Sequence, residues 1–162
     1  MMYNATMRRL VRSASAGTWP EEQAEGSVTL AYEDRHRRRL RLTTDRGEPV
    51  LLDLGRAAPL AQGDGLAFAE GGWLRVVAAE EDVLEARGRD PTHLARLAWH
   101  LGNRHIPVQI TSDAALRVRD DHVIETMLAG LGATCERRRA TFQVEGGAYA
   151  RRAPSGHHHA HG

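Results

Sequence analysis

Asp90-Pro91-Thr92-His93-Leu94-Ala95-Arg96-Leu97-Ala98-Trp99-His100-Leu101-Gly102 reads as one amphipathic helix with both ends marked. Asp90 suits the N-cap and Pro91 the first helical position, where its missing N–H costs nothing. Leu94, Leu97, Ala98 and Leu101 recur at helical spacing, and Gly102 stands where a left-handed C-terminal cap is expected. Trp73–Val77 and Val83–Arg87 precede the helix as strands. After it, Ile106, Val108 and Ile110 alternate as a strand, and Ala115–Val118 can pair back through Thr111-Ser112-Asp113. A second helix opens at Asp120-Asp121, carries Ile124, Met127, Leu128 and Leu131 on one face, and stops at Gly132. Thr141–Val144 is the expected last strand. The order β-α-β-β-α-β is that of the ferredoxin-like split unit, an antiparallel sheet with both helices on one face. Pro107 would then sit in the second strand, at a sheet edge where a missing N–H can face outward.

Outward from this unit the character changes. Ser27–Tyr32, Arg37–Leu42, Pro49–Leu54 and Leu66–Phe68 are short β-prone runs separated by turn-forming stretches every 8 to 12 residues. The fold class is therefore α+β. A small β-rich domain over residues 1–76 is followed by the ferredoxin-like domain over residues 77–150. Residues 151–162, without apolar period, form a flexible histidine-containing tail.

The chain has 162 residues, 22 basic and 21 acidic side chains and a net charge of +1, so nothing global calls for nucleic acid. Every basic residue is arginine, which excludes a lysine Schiff base and a phosphate-loop lysine. No run approaches the roughly 18 apolar residues of a membrane span, and Arg8, Arg9 and Arg12 break any apolar leader. The lone Cys135 cannot form an internal disulfide, so a reducing, cytoplasmic compartment is expected. No G-x-S-x-G, phosphate loop or paired-cysteine motif occurs, and no catalytic set is legible; an enzyme is not expected.

Histidine is where chemistry concentrates. His157, His158, His159 and His161 fall within five residues, and neutral imidazoles on a flexible segment can wrap one nickel, copper or zinc ion. His93 and His100 lie at the edge of the first helix's apolar stripe, where histidines usually serve packing. His105 differs, because it follows Gly102-Asn103-Arg104 in a short loop from which a side chain can project. His122, in the first turn of the second helix and opposite its apolar face, should meet solvent. The strip Arg35-His36-Arg37-Arg38-Arg39-Leu40-Arg41, if extended, lines one face with Arg37, Arg39 and Arg41. A solvated face or an acidic protein partner fits it better than RNA, since no aromatic side chains are interleaved.

His100-Leu101-Gly102-Asn103-Arg104-His105-Ile106-Pro107, with Arg119-Asp120-Asp121-His122-Val123-Ile124-Glu125 and Gly147-Ala148-Tyr149-Ala150, closely resembles the urease accessory protein UreE family. The resemblance implies a nickel metallochaperone for urease maturation: a β-rich domain that engages protein partners, then a ferredoxin-like metal domain. It also implies a homodimer binding one Ni²⁺ through His105 of each chain, with His122 and the tail histidines as further ligands. Zn²⁺ or Cu²⁺ would also bind in vitro. The implied partners are a urease maturation GTPase and the urease apoprotein complex. In some relatives a further histidine stands two residues before the position of His122; here that residue is Asp120. A general metal buffer would use the tail and ignore His105, and an RNA-binding module would use the arginine strip.

Overall fold

The computed structural model describes residues 6–146. Ten strands and two α-helices follow in chain order: β1 (Arg8–Ala14), β2 (Ala24–Leu30), β3 (Arg39–Thr43), β4 (Pro49–Asp53), β5 (Gly65–Phe68), β6 (Trp73–Ala78), β7 (Glu80–Arg87), α1 (Pro91–Asn103), β8 (Gln109–Ile110), β9 (Leu116–Arg119), α2 (His122–Gly130) and β10 (Thr134–Thr141). Two sheets result. The first has the order β2-β6-β5-β1-β4-β3 and the second β10-β7-β9-β8. The first ends at Ala78 and the second opens at Glu80, so the boundary expected after residue 76 falls inside β6.

Alternation along the strands builds the first core. Leu10, Val28, Val50, Leu52, Leu66 and Val76 are fully buried, and their strand neighbours are more exposed except in β5, where all four residues are buried. The pairings β1 with β4 and β2 with β6 are parallel and the others in this sheet antiparallel. The sequence pattern does not reveal β1. Arg8, Arg9 and Arg12 obscure its alternation, yet Leu10 is completely buried, and Arg8 sets its guanidinium over the Phe68 ring at 3.6 Å.

In the second sheet every pairing is antiparallel. Leu84, Ala86, Leu116 and Val118 share one face, because register places Leu84 opposite Val118 and Ala86 opposite Leu116. Both helices cover that face, α1 with Leu97 and Leu101 and α2 with Leu128. The short β8 lies at the sheet edge, and Pro107 precedes it rather than sitting within it.

The last strand is displaced from its expected place. Thr134–Thr141 pairs with β7 over eight positions, whereas Phe142–Val144 leaves the sheet. Arg117 Nη1 holds the Thr141 carbonyl at 2.8 Å, Gln109 Oε1 accepts from Gln143 N–H at 3.0 Å, and the Val108 carbonyl accepts from Glu145 N–H at 2.8 Å. These bonds carry the chain from the β10 edge to the β8 edge across the face that the helices leave open. Beneath the crossing, Glu85 is buried and accepts from Arg117 Nη2 at 2.7 Å and Arg138 Nη1 at 3.2 Å.

Arg35 does not extend the arginine strip. It lies in a 3₁₀ turn over Asp34–His36, is buried, and donates to the carbonyls of Leu30 (3.2 Å), Leu60 (3.3 Å) and Phe142. One guanidinium thus ties the first domain to the crossing segment of the second. Tyr32 N–H to Glu81 (2.8 Å) and the Arg119–Glu33 pair (2.7 Å) add to the same junction.

Candidate metal centre at the end of helix α1

Both helices stop by the same device. At the end of α2, Gly132 N–H donates to the Ala129 carbonyl and Ala133 N–H to the Leu128 carbonyl, each at 3.0 Å, with Gly132 left-handed at φ 86°. This pair of bonds is the Schellman motif, and glycine is its usual left-handed residue because it has no Cβ to clash. At the end of α1, His105 N–H donates to the Gly102 carbonyl at 3.0 Å and Ile106 N–H to the Leu101 carbonyl at 3.1 Å. The left-handed residue there is His105, at φ 55°. Gly102, expected to provide the left-handed cap, stays inside the helix. The paired apolar residues Leu101 and Ile106, five apart, were the signal that would have located the cap correctly, as Leu128 and Ala133 do for α2.

A non-glycine residue in this conformation costs about 1–2 kcal/mol. His105 is exposed, and among the described residues its ring makes no hydrogen bond. It lines a cleft of about 470 Å³ together with Asp82, Asp120, Asp121 and Ile124. The three carboxylates are already engaged. Asp82 accepts from Arg139 at 3.0 Å, and Asp120 lies 3.2 Å from Arg137. Asp121 caps α2 by accepting from Val123 N–H at 2.8 Å and Ile124 N–H at 3.1 Å. His105 is left as the cleft's uncommitted nitrogen donor.

The other histidines sort by environment. His93 is buried; its Nδ1 accepts from Arg89 N–H at 2.9 Å and its Nε2 lies 2.8 Å from the Leu131 carbonyl. With both ring nitrogens occupied, His93 locks the start of α1 to the end of α2. His100 sits 3.3 Å from Arg104 Nη1 and edge-on to Trp99. His122 is the exposed first residue of α2, directly after the cleft-lining Asp121. His157, His158, His159 and His161 lie outside the described residues. Among the described residues, no three or more His, Cys, Asp or Glu side chains are grouped to hold an ion. Burial pushes the Cys135 thiol above its ordinary pKa, with the nearby Glu125 adding to the effect, so this cysteine is a poor thiolate ligand. No described helix is long and apolar enough to cross a membrane.

Residues 8–79 match the family model described as UreE urease accessory protein, N-terminal domain, and residues 81–162 match its C-terminal domain counterpart. The chain belongs to the UreE family. The urease accessory protein UreE of Bradyrhizobium sp. (strain ORS 278) is 52% identical over 156 residues, covering 96% of this chain and 71% of that one. The UreE of Rhodopseudomonas palustris (strain HaA2) is 54% identical over 132 residues, 82% of this chain and 60% of the relative. The UreE of Chelativorans sp. (strain BNC1) is 44% identical over 153 residues and matches nearly end to end, at 94% and 96%. The two UreE domains correspond to the two sheets, with His105 in the second.

Proposed function

We propose that this chain is a nickel carrier for urease maturation, in which two copies join through ferredoxin-like second domains and bind one Ni²⁺ between the two His105 rings. The observation that carries the reading is His105 itself, exposed and uncommitted at a left-handed position where α2 uses glycine. Backbone strain clusters at functional sites, and of the two strained non-glycine residues, His105 and Ala114, only His105 carries a ligating side chain. One imidazole is a poor site, and the described residues of one chain group no fuller set. A two-fold axis through the ion doubles what a single chain offers. His122 and the tail histidines His157, His158, His159 and His161 would complete the shell. Val123, beside His122, is 77% exposed and Trp99 on α1 is 63% exposed, apolar side chains available to a second copy.

A site with few fixed ligands suits delivery, because positions stay open for transfer to the next protein. The chain then acts as a carrier and not as an enzyme, in the cytoplasm, handing nickel to a urease maturation GTPase and the urease apoprotein complex. Nickel ranks below copper for nitrogen ligands, so Cu²⁺ competes in vitro and Zn²⁺ also binds. Protons compete too, because coordination needs the neutral imidazole.

The test is calorimetric nickel titration with parallel sedimentation, on the intact chain, a form lacking residues 156–162, and tail-less His105→Ala. Tail removal should lower stoichiometry and leave the principal site; His105→Ala should then remove it. Unchanged nickel affinity in tail-less His105→Ala, or a monomer at micromolar concentration with nickel present, refutes the proposal. Complete loss of binding on tail removal would reverse the roles of tail and interface.

A further inference from the structure

We propose that the outward face of β1, β4 and β3 is a docking surface for an extended acidic segment of a partner protein. In the first sheet Arg8, Arg9 and Arg75 pair with carboxylates, but the arginine run around β3 does not. Every arginine of β7, β9 and β10 has a carboxylate partner within ion-pair distance: Arg87, Arg117, Arg119, Arg137, Arg138 and Arg139. Arg37, Arg38, Arg39 and Arg41 are exposed and, among the described residues, have none.

Register shows how these charges are arrayed. Leu40 packs on the core and Leu42 is buried within it, so Arg39 and Arg41 point outward. Arg9, Leu51 and Arg41 stand side by side across three strands, and Arg39 stands opposite Asp53. Asp53 is the carboxylate of this face and already accepts from Arg9 Nη2 at 2.7 Å. The face therefore carries a surplus of guanidinium groups around the half-buried Leu51. Arg39 and Arg41 are two strand residues apart, about 7 Å, the spacing of alternate side chains in an extended peptide. Guanidinium forks pair carboxylates bidentately. An extended segment with acidic residues at alternate positions thus matches the face in charge and period. Nucleic acid fits less well, because the aromatic rings that could stack bases are used elsewhere. Tyr32 packs on Phe142 at 5.0 Å between ring centres, and Trp19 stacks on Trp73 at 5.4 Å.

The test is fluorescence anisotropy of the full chain, with metal chelated so that the outcome is independent of nickel binding. The probes are a labelled alternating Glu-Leu peptide, its Lys-Leu counterpart and a labelled oligouridine. The Glu-Leu peptide should bind, more tightly at ~0.05 M than at ~0.15 M salt, while the Lys-Leu peptide should not. Arg41→Glu should weaken that binding at least fivefold and Arg41→Gln by less. Arg96→Glu, the same charge change on the exposed surface of α1, should stay within twofold of wild type. Absence of Glu-Leu binding, equal losses in Arg41→Glu and Arg96→Glu, or tighter binding of oligouridine each overturns the proposal.

Discussion

Replacing His105 with glycine should make the second domain more stable than replacing it with alanine, although both remove the same imidazole. The reason lies in the backbone. At φ 55°, alanine keeps the Cβ clash that histidine suffers, whereas glycine does not. Relief of about 1–2 kcal/mol is offset by about 0.5–1 kcal/mol from the extra freedom of unfolded glycine. The balance favours His105→Gly over His105→Ala by roughly 0.5–1 kcal/mol, or about 1–4 °C in melting temperature for a chain of this size. The ring itself adds little to this comparison, since it is exposed and unbonded among the described residues. Urea unfolding followed by circular dichroism, with metal chelated, gives the difference from midpoints at constant slope. Nickel titration on tail-less forms of the same two variants gives the functional half, and both should have lost the principal site. A glycine variant less stable than the alanine variant would refute the left-handed cap. One that kept full nickel affinity would show that the strain serves no ligand.

His93→Ala should do the opposite, costing roughly 2–4 kcal/mol through two lost hydrogen bonds and a buried void, while nickel affinity of the folded protein holds; unfolding and titration together check it. Gly88→Ala should destabilise by about 1–3 kcal/mol, because a Cβ there would lie 2.7 Å from the backbone nitrogen of Leu94 in α1; a thermal melt measures it. Acid should weaken the second domain. Burial acts to raise the Glu85 pKa, but hydrogen bonds and charges from Arg117 and Arg138 outweigh it and hold the carboxyl below its ordinary value. Asp113 is lowered to about 2 by the Thr111 hydroxyl and Arg87. Folded values below unfolded ones mean stability present above about pH 4 and lost as pH falls through the depressed values. Urea midpoints should therefore drop between about pH 5 and 2, and Glu85→Gln should be less stable at neutral pH with a shallower acid dependence.

Legibility followed local chemistry. The Asp90-Pro91 start of α1, the opening of α2 at Asp120-Asp121 and its stop at Gly132 are legible, because caps and left-handed glycines depend on neighbours in the chain; the structure assigns the α2 cap to Asp121. His105 was picked out as a projecting loop histidine, and His93 as a packing residue of the helix edge. The arginine-laden strands failed. β1 and the Cys135–Arg139 part of β10 carry too few apolar residues to show a period, and backbone pairing overrides side-chain composition there.

The sequence alone thus determined the two helices, the order of elements in the second domain, the absence of a legible catalytic set, and the histidine most worth testing. Tertiary structure decided the rest. Whether an arginine is a solvated charge or a buried tie depends on which carbonyls converge on it, and for Arg35 these come from Leu30, Leu60 and Phe142, residues far apart in the chain. The crossing of residues 141–145 over the open sheet face, and with it the burial of Glu85, is likewise set by contacts that no local pattern encodes. Even the cap of α1 moved three residues, from Gly102 to His105. The Leu101 and Ile106 pair points to it in the sequence, but Gly102 offers a competing stop, and only the packing of both apolar residues into the shared core decides between them.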